Sequence, residues 1–134
     1  MAVKKDGTVY VWGKNRKGQL GIAGENIPTP TKVPGLSNII QVASGNYHIL
    51  ALDSNGQVFS AGKEKKGMLG RATGPFDQFK PIENLPTSGK IVSIHAGHDV
   101  SFLVDENGAL YSFGDSKLST HKNHTNVPTL VTKI

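Results

Sequence analysis

One fifteen-residue phrase occurs twice in this chain. GTVYVWGKNRKGQLG runs from Gly7 to Gly21, and GQVFSAGKEKKGMLG runs from Gly56 to Gly70, 49 positions later. Eight aligned pairs are identical: Gly7/Gly56, Val9/Val58, Gly13/Gly62, Lys14/Lys63, Lys17/Lys66, Gly18/Gly67, Leu20/Leu69 and Gly21/Gly70. A self-match this dense constrains the fold more than any composition figure. A repeat of this length behaves as one supersecondary unit that buries its apolar faces against its neighbours.

The register extends well past the phrase. Ile39–Gly62 (IIQVASGNYHILALDSNGQVFSAG) meets Ile91–Gly114 (IVSIHAGHDVSFLVDENGALYSFG) at an offset of 52, placing Gly45 opposite Gly97 and Asn55-Gly56 opposite Asn107-Gly108. The start of the chain is a third, partial copy in which Asp6-Gly7 takes the place of Asn55-Gly56. Each unit closes on a proline-containing segment: Pro30–Val33, Pro81–Leu85 and Pro128–Val131. Residues 1–36 thus form a partial first unit, 37–88 a second, and 89–134 a third whose last loop diverges.

Each unit reads as short strands. Ile-Ile-Gln-Val and Ile-Val-Ser-Ile are β-branched runs with alternation, followed by HILALD or SFLVDE, a turn, and QVFSAG or ALYSFG. Asp6-Gly7, Asn55-Gly56 and Asn107-Gly108 predict two-residue type I′ hairpin turns, with positive φ at both central residues. The proline segment suits an edge strand, where a missing N–H does least harm. Four strands cannot bury both faces of their sheet alone, and radial repetition of such units gives a β-propeller. The expected fold is all-β: a propeller segment of about two and a half four-stranded antiparallel blades. Trp12, Ala61 and Phe113 end the third strands and are predicted to pack between blades, their different sizes making successive blades non-identical.

These motifs resemble the regulator-of-chromosome-condensation (RCC) repeat. The family's pattern is a strand ending in aromatic-Trp-Gly, then Asn-x-x-Gly-Gln-Leu-Gly, then Pro-x-x-Val and a Val-x-x-Gly-x-x-His strand pair. Asn15, Gly18, Gln19, Leu20 and Gly21 match its centre, and Gly45 and His48 match its Gly-x-x-His. The second copy departs at Glu64 and Met68, and the third has no histidine at the His48 position and no Gly-Gln-Leu-Gly after Gly114. The resemblance implies a propeller that is seven-bladed in its best-known members, so this chain is expected to be a segment of a larger propeller, with self-assembly into a ring as the alternative. It also implies a local turn-fixing role for His48. For function it implies a non-enzymatic protein-interaction scaffold or, alternatively, a guanine-nucleotide exchange factor for a Ran-like small GTPase, with chromatin association as a variant of the first.

Composition removes several classes. No cysteine is present, which excludes disulfide and thiolate chemistry. No apolar run of about 18 residues marks a membrane span, and the N-terminus lacks the apolar region of a secretory signal, so an intracellular setting, cytoplasmic or nuclear, is expected. No nucleophile elbow or phosphate loop is present, so no catalytic residue and no cofactor is assigned. Asp105-Glu106 reads as a solvated turn. The pairs His95/His98 and His121/His124 have a spacing open to metal, but structural zinc sites recruit cysteine, and no metal site is assigned.

The basic loops are the stronger lead. KNRK (Lys14–Lys17) and KEKK (Lys63–Lys66) occupy the same place in successive units, and Lys117 corresponds in the third. Equivalent loops of a propeller share one face, so Lys14, Arg16, Lys17, Lys63, Lys65, Lys66 and Lys117 predict a basic arc, in keeping with a net charge of +5. It suits an acidic protein surface, such as an acidic surface of a histone or a small GTPase. No aromatic residues interleave with the lysines, so no nucleic-acid base readout is expected. The loop Arg71–Lys80, two residues longer than its counterpart before Pro30, carries Phe76 and Phe79, which either stand out as partner anchors or fold back over the blade.

Overall fold

The computed structural model describes residues 1–64, 67–71, 74–83, 85, 89–115 and 125–133. Among these residues eleven strands form three antiparallel sheets in chain order. The first holds β1 (Ala2–Val3), β2 (Val9–Gly13) and β3 (Ile27–Lys32). The second holds β4 (Ile39–Ser44), β5 (His48–Asp53), β6 (Val58–Gly62) and β7 (Lys80–Pro81). The third holds β8 (Ile91–Ala96), β9 (Val100–Asp105), β10 (Ala109–Gly114) and β11 (Thr125–Lys133). Every strand pairs with its neighbours in sequence, so each sheet is a simple meander.

The sheets stack in succession, and the middle one is covered on both faces. β5 is buried along its whole length, because the two-residue period of a strand sends alternate side chains to opposite faces. Ala51 joins Val9, Val11, Val33, Leu36 and Ile39 in the core shared with the first sheet. Leu50 and Leu52 join Val58, Ile82, Ile91, Ile94, Leu103 and Phe113 in the core shared with the third. Each fully buried Leu or Ile there contributes about 1.5–3 kcal/mol through the hydrophobic effect. Polar ties cross the same interfaces: the Gln41 amide donates to the Ile94 carbonyl at 2.9 Å and accepts from the Ile94 N–H at 3.2 Å.

Three details differ from the sequence reading. The hairpin turns are three-residue loops rather than type I′ turns. Asp53 N–H donates to the Gln57 carbonyl and Gly56 N–H to the Asp53 carbonyl; of the two central residues only the glycine has positive φ, 83° at Gly7, 83° at Gly56 and 84° at Gly108. Lys4 closes the same loop in the first unit, and in the other two a carboxylate at the loop's start braces it. Asp53 Oδ1 accepts from Asn55 and Gln57 N–H, and Asp105 Oδ1 from Asn107 and Ala109 N–H, each at 2.9 Å. Asp105 is therefore a buried structural residue, 3 % exposed, and not a solvated one.

The Arg71–Lys80 loop carries no two-residue extension. Tyr10 faces Lys32 and Phe59 faces Pro81, both pairs 49 apart, and Val33→Val9 and Ile82→Val58 main-chain bonds repeat at the same offset. Ile82 must enter the core where Val33 does, so the apolar pattern sets the register and the proline does not. Finally, Ala61 and Phe113 are fully buried but Trp12 is 41 % exposed. Trp12 and Tyr10 lie on the face of the first sheet turned away from the second, which no other sheet covers among the described residues.

Candidate protein-binding face

Antiparallel order places the connections at two ends of each sheet. The short turns at Gly7, Gly56 and Gly108 lie at one end. The opposite end gathers the long loops 14–26 and 63–79 and the short connections 45–47 and 97–99. Lys14, Arg16, Lys17 and Lys63 sit at this second end, where the topology brings equivalent loops of successive units side by side.

The first loop is built around Asn15, which is 1 % exposed. Its amide donates to the carbonyls of Ile22, Gly24 and Glu25 at 2.6, 3.3 and 3.2 Å, and its side-chain oxygen accepts from Leu20 N–H at 3.1 Å. One buried side chain thus satisfies main-chain groups along the loop. Lys14, Arg16 and Lys17 alternate around it and are exposed; Lys17 N–H donates to the Gln19 side chain at 2.9 Å.

The second loop replaces Asn15 by Glu64 and solves the same problem from another position. Arg71, 8 % exposed, stands where the first unit has Ile22. Its Nε donates to Ser60 Oγ at 3.0 Å, and its Nη atoms donate to the carbonyls of Ser60, Pro75 and Gln78 at 2.9, 3.0 and 3.1 Å. The guanidinium also lies over the Phe76 ring, 5.3 Å from its centroid. Burial lowers the Arg71 pKa from its ordinary value, with the Glu64 charge opposing. No sequence signal marked Arg71, because its role depends on which carbonyls the loop turns inward.

Of the predicted site residues, Lys14, Arg16 and Lys17 are exposed and Lys63 is half-buried. Lys63 N–H donates to the Tyr47 carbonyl at 2.8 Å, and its ammonium lies 5.7 Å from the Tyr47 ring centroid. Lys65, Lys66 and Lys117 lie outside the described residues, as do His121 and His124. Phe76 and Phe79 are both half-buried. Phe79 folds back: its ring packs directly over Gly21 of the first unit and joins the core between the first two sheets. Phe113 packs over Gly70 in the same manner one unit later. The position equivalent to Phe113 in the second sheet is Ala61, and there Phe79 takes the place over Gly21 that Phe113 takes over Gly70. The same loop brings Asp77 against Gly18, where an added Cβ would lie 2.5 Å from the Asp77 Cβ. Neighbouring loops therefore interlock, and the cations ride on a fixed surface that also carries Glu25, Glu64 and Asp77.

Behind this face His48 links two sheets, instead of fixing a turn locally. Its Nε2 lies 2.9 Å from Ser101 Oγ, and Ser101 Oγ donates to the Met68 carbonyl at 2.8 Å. The serine proton is thus committed, which makes His48 Nε2–H the donor and Nδ1 the unprotonated nitrogen. On the surface, Asn46 Nδ2 and His98 Nδ1 bridge the two short connections at 2.6 Å. His95 bonds Ser93 Oγ at 2.9 Å. Among the described residues no group of three or more His, Cys, Asp or Glu side chains could hold a metal ion, and no helix is long and apolar enough to cross a membrane.

Comparison with known proteins gives a consistent result. The profile of the regulator of chromosome condensation (RCC1) repeat matches residues 6–52 and 55–104. The chain is 34 % identical over 117 residues to the RCC2 homolog of Danio rerio, covering 85 % of this chain and 24 % of that protein. It is 36 % identical over 122 residues to the E3 ubiquitin-protein ligase HERC2 of Homo sapiens, covering 87 % of this chain and 2 % of that one. In structure it superimposes on Prp20p of Saccharomyces cerevisiae with a TM-score of 0.84 at 24 % identity, over 98 % of this chain and 36 % of Prp20p. The Prp20p structure was described together with its binding to Gsp1p and histones. The chain spans at most about a third of the length of these proteins, and the match in fold makes its three sheets part of a β-propeller.

Proposed function

Because this chain belongs to the regulator of chromosome condensation (RCC1) repeat family, we propose that it is a protein-interaction scaffold that binds an acidic protein surface through the loop end of its blades. One observation carries this reading. Exposed Lys14, Arg16 and Lys17, with Lys63 on the adjacent loop, are held by backbones that Asn15 and Arg71 pin from below. A cation on a preordered loop loses little freedom on binding, so more of its attraction appears as affinity. Lys65, Lys66 and Lys117 extend the same arc in this reading, and Phe76 and Phe79 serve it as supports of the second loop. Histones and small GTPases are the proposed partners, in line with what Prp20p is described as binding. No residue is given a catalytic role, and no cofactor is needed.

Exchange of guanine nucleotide on a Ran-like small GTPase is the second reading, supported by the family resemblance and by the Gsp1p binding described for Prp20p. Two assays test the pair. Triple charge reversal, Lys14→Glu, Lys17→Glu and Lys63→Glu, is expected to weaken binding to a small GTPase, or to nucleosomes assembled from tailless histones that present their acidic surface, about tenfold or more, and wild-type binding is expected to fall with added salt. Unchanged affinity removes this face from the reading. Nucleotide release from a panel of GTPases, measured with and without the chain, tests exchange; release at the basal rate throughout rejects it for this chain.

A further inference from the structure

The outer edge of the first sheet carries a motif that the binding face does not use. Thr29-Pro30-Thr31-Lys32 lies on β3, and it contains the sole Ser-Pro or Thr-Pro dipeptide in the chain. Among the described residues β3 pairs with β2 on one side only, and Pro28 to Lys32 are all exposed. In the ladder Val11 faces Thr31 and Gly13 faces Ile27. Trp12 alone therefore spans the stretch that Pro28, Thr29 and Pro30 occupy on β3, and those three residues bulge from the sheet. A bulge releases its residues from pairing and re-aims their side chains. Thr31 Oγ1 donates to the Thr29 carbonyl at 2.9 Å and so braces the bulge. The equivalent positions of the other units read Gln78-Phe79 and Val127-Pro128, so the hydroxyl-proline pair belongs to the first unit alone.

We propose that Thr29 is the phosphoacceptor for a proline-directed serine/threonine kinase that reads a basic residue three positions downstream. A substrate groove with no acceptor for the N–H after the phosphoacceptor leaves that group unsatisfied in every residue except proline. Pro30 removes the N–H, and Lys32 supplies the charge that such a kinase reads against competing substrates. The strand is already extended, and its outward edge is free to lie in a groove. In the reaction the Thr29 hydroxyl oxygen attacks the γ-phosphorus of ATP. The new O–P bond forms as the bond from that phosphorus to the β,γ-bridging oxygen breaks, ADP leaves, and the hydroxyl proton passes to the kinase's catalytic aspartate. The product carries about −1.5 to −2 additional charges at neutral pH and needs no ladder bond to break, because Thr29 has no strand partner among the described residues.

The test is to incubate the chain with a cyclin-dependent kinase, its cyclin and labelled ATP, and to map the phosphate by mass spectrometry. One phosphate on Thr29 is expected. Thr29→Ala abolishes labelling, Thr29→Ser keeps it, Thr31→Val keeps it, and Lys32→Ala slows it about tenfold. Circular dichroism of each variant confirms an unchanged fold. No labelling, a phosphate on another residue, or wild-type labelling of Lys32→Ala would overturn the assignment.

Discussion

His48 is the residue through which mild acid should destabilise this fold. Its ring is 1 % exposed between β5 and β9. Desolvation lowers its pKa from 6.5 to about 4, against the opposing influence of the Asp99 charge and the Val100 carbonyl. A proton would have to enter at Nδ1, which has no hydrogen-bond partner among the described residues. Between pH 6.5 and about 4 the unfolded chain holds this proton and the folded chain does not, so stability falls as pH falls through that window. Each tenfold change in proton affinity corresponds to about 1.4 kcal/mol. About 2 kcal/mol is then lost by pH 5 and about 3 kcal/mol below pH 4, with no change above pH 7. Urea unfolding followed by far-ultraviolet circular dichroism at pH 7, 6 and 5 measures this, with His48→Gln as the reference. Glutamine can still donate to Ser101 Oγ but does not titrate, and both proteins share every other ionisable group. The stability difference between them should shift by about 2 kcal/mol in favour of the variant from pH 7 to pH 5. Parallel pH profiles would refute the burial argument.

Two further predictions concern the loop interlock. Phe79→Ala should cost about 1.5–3 kcal/mol, less than a fully buried phenylalanine because the ring is half-exposed, while Gly21→Ala should cost at least as much, since its φ of 75° and the overlying ring both oppose a Cβ; thermal unfolding of the two variants, and of the double variant for non-additivity, checks this. Arg71→Lys should destabilise the second loop by about 2–4 kcal/mol and expose residues 74–80 to protease, because one ammonium cannot reproduce a planar fork that serves three carbonyls; cleavage no faster than wild type would show that the loop is held by other means.

The repeat, its period and the strands are matters of local chemistry. Glycine at a turn, alternation in a strand and an apolar side at fixed spacing each act over a few residues, so they can be read along the chain. Gly7, Gly56 and Gly108 were legible for that reason, and so was the placing of Lys14, Arg16 and Lys17 on a loop. The turn type was not, because it is set by where the paired strands close, at Lys4 and Thr8 or at Asp53 and Gln57, one residue earlier than the Asx-Gly dipeptide suggests.

What only the tertiary structure decided involves partners far apart in the chain. His48 meets Ser101 across 53 positions, and the need of Phe79 for Gly21 becomes visible only when two loops are set side by side. Register against Val58 was decided by the burial of Ile82, which outweighed the matching of prolines. Trp12, Ala61 and Phe113 are equivalent in sequence, yet one is exposed and two are buried. A residue's type states what it would bury or bond; the neighbouring sheet determines whether anything is there to receive it.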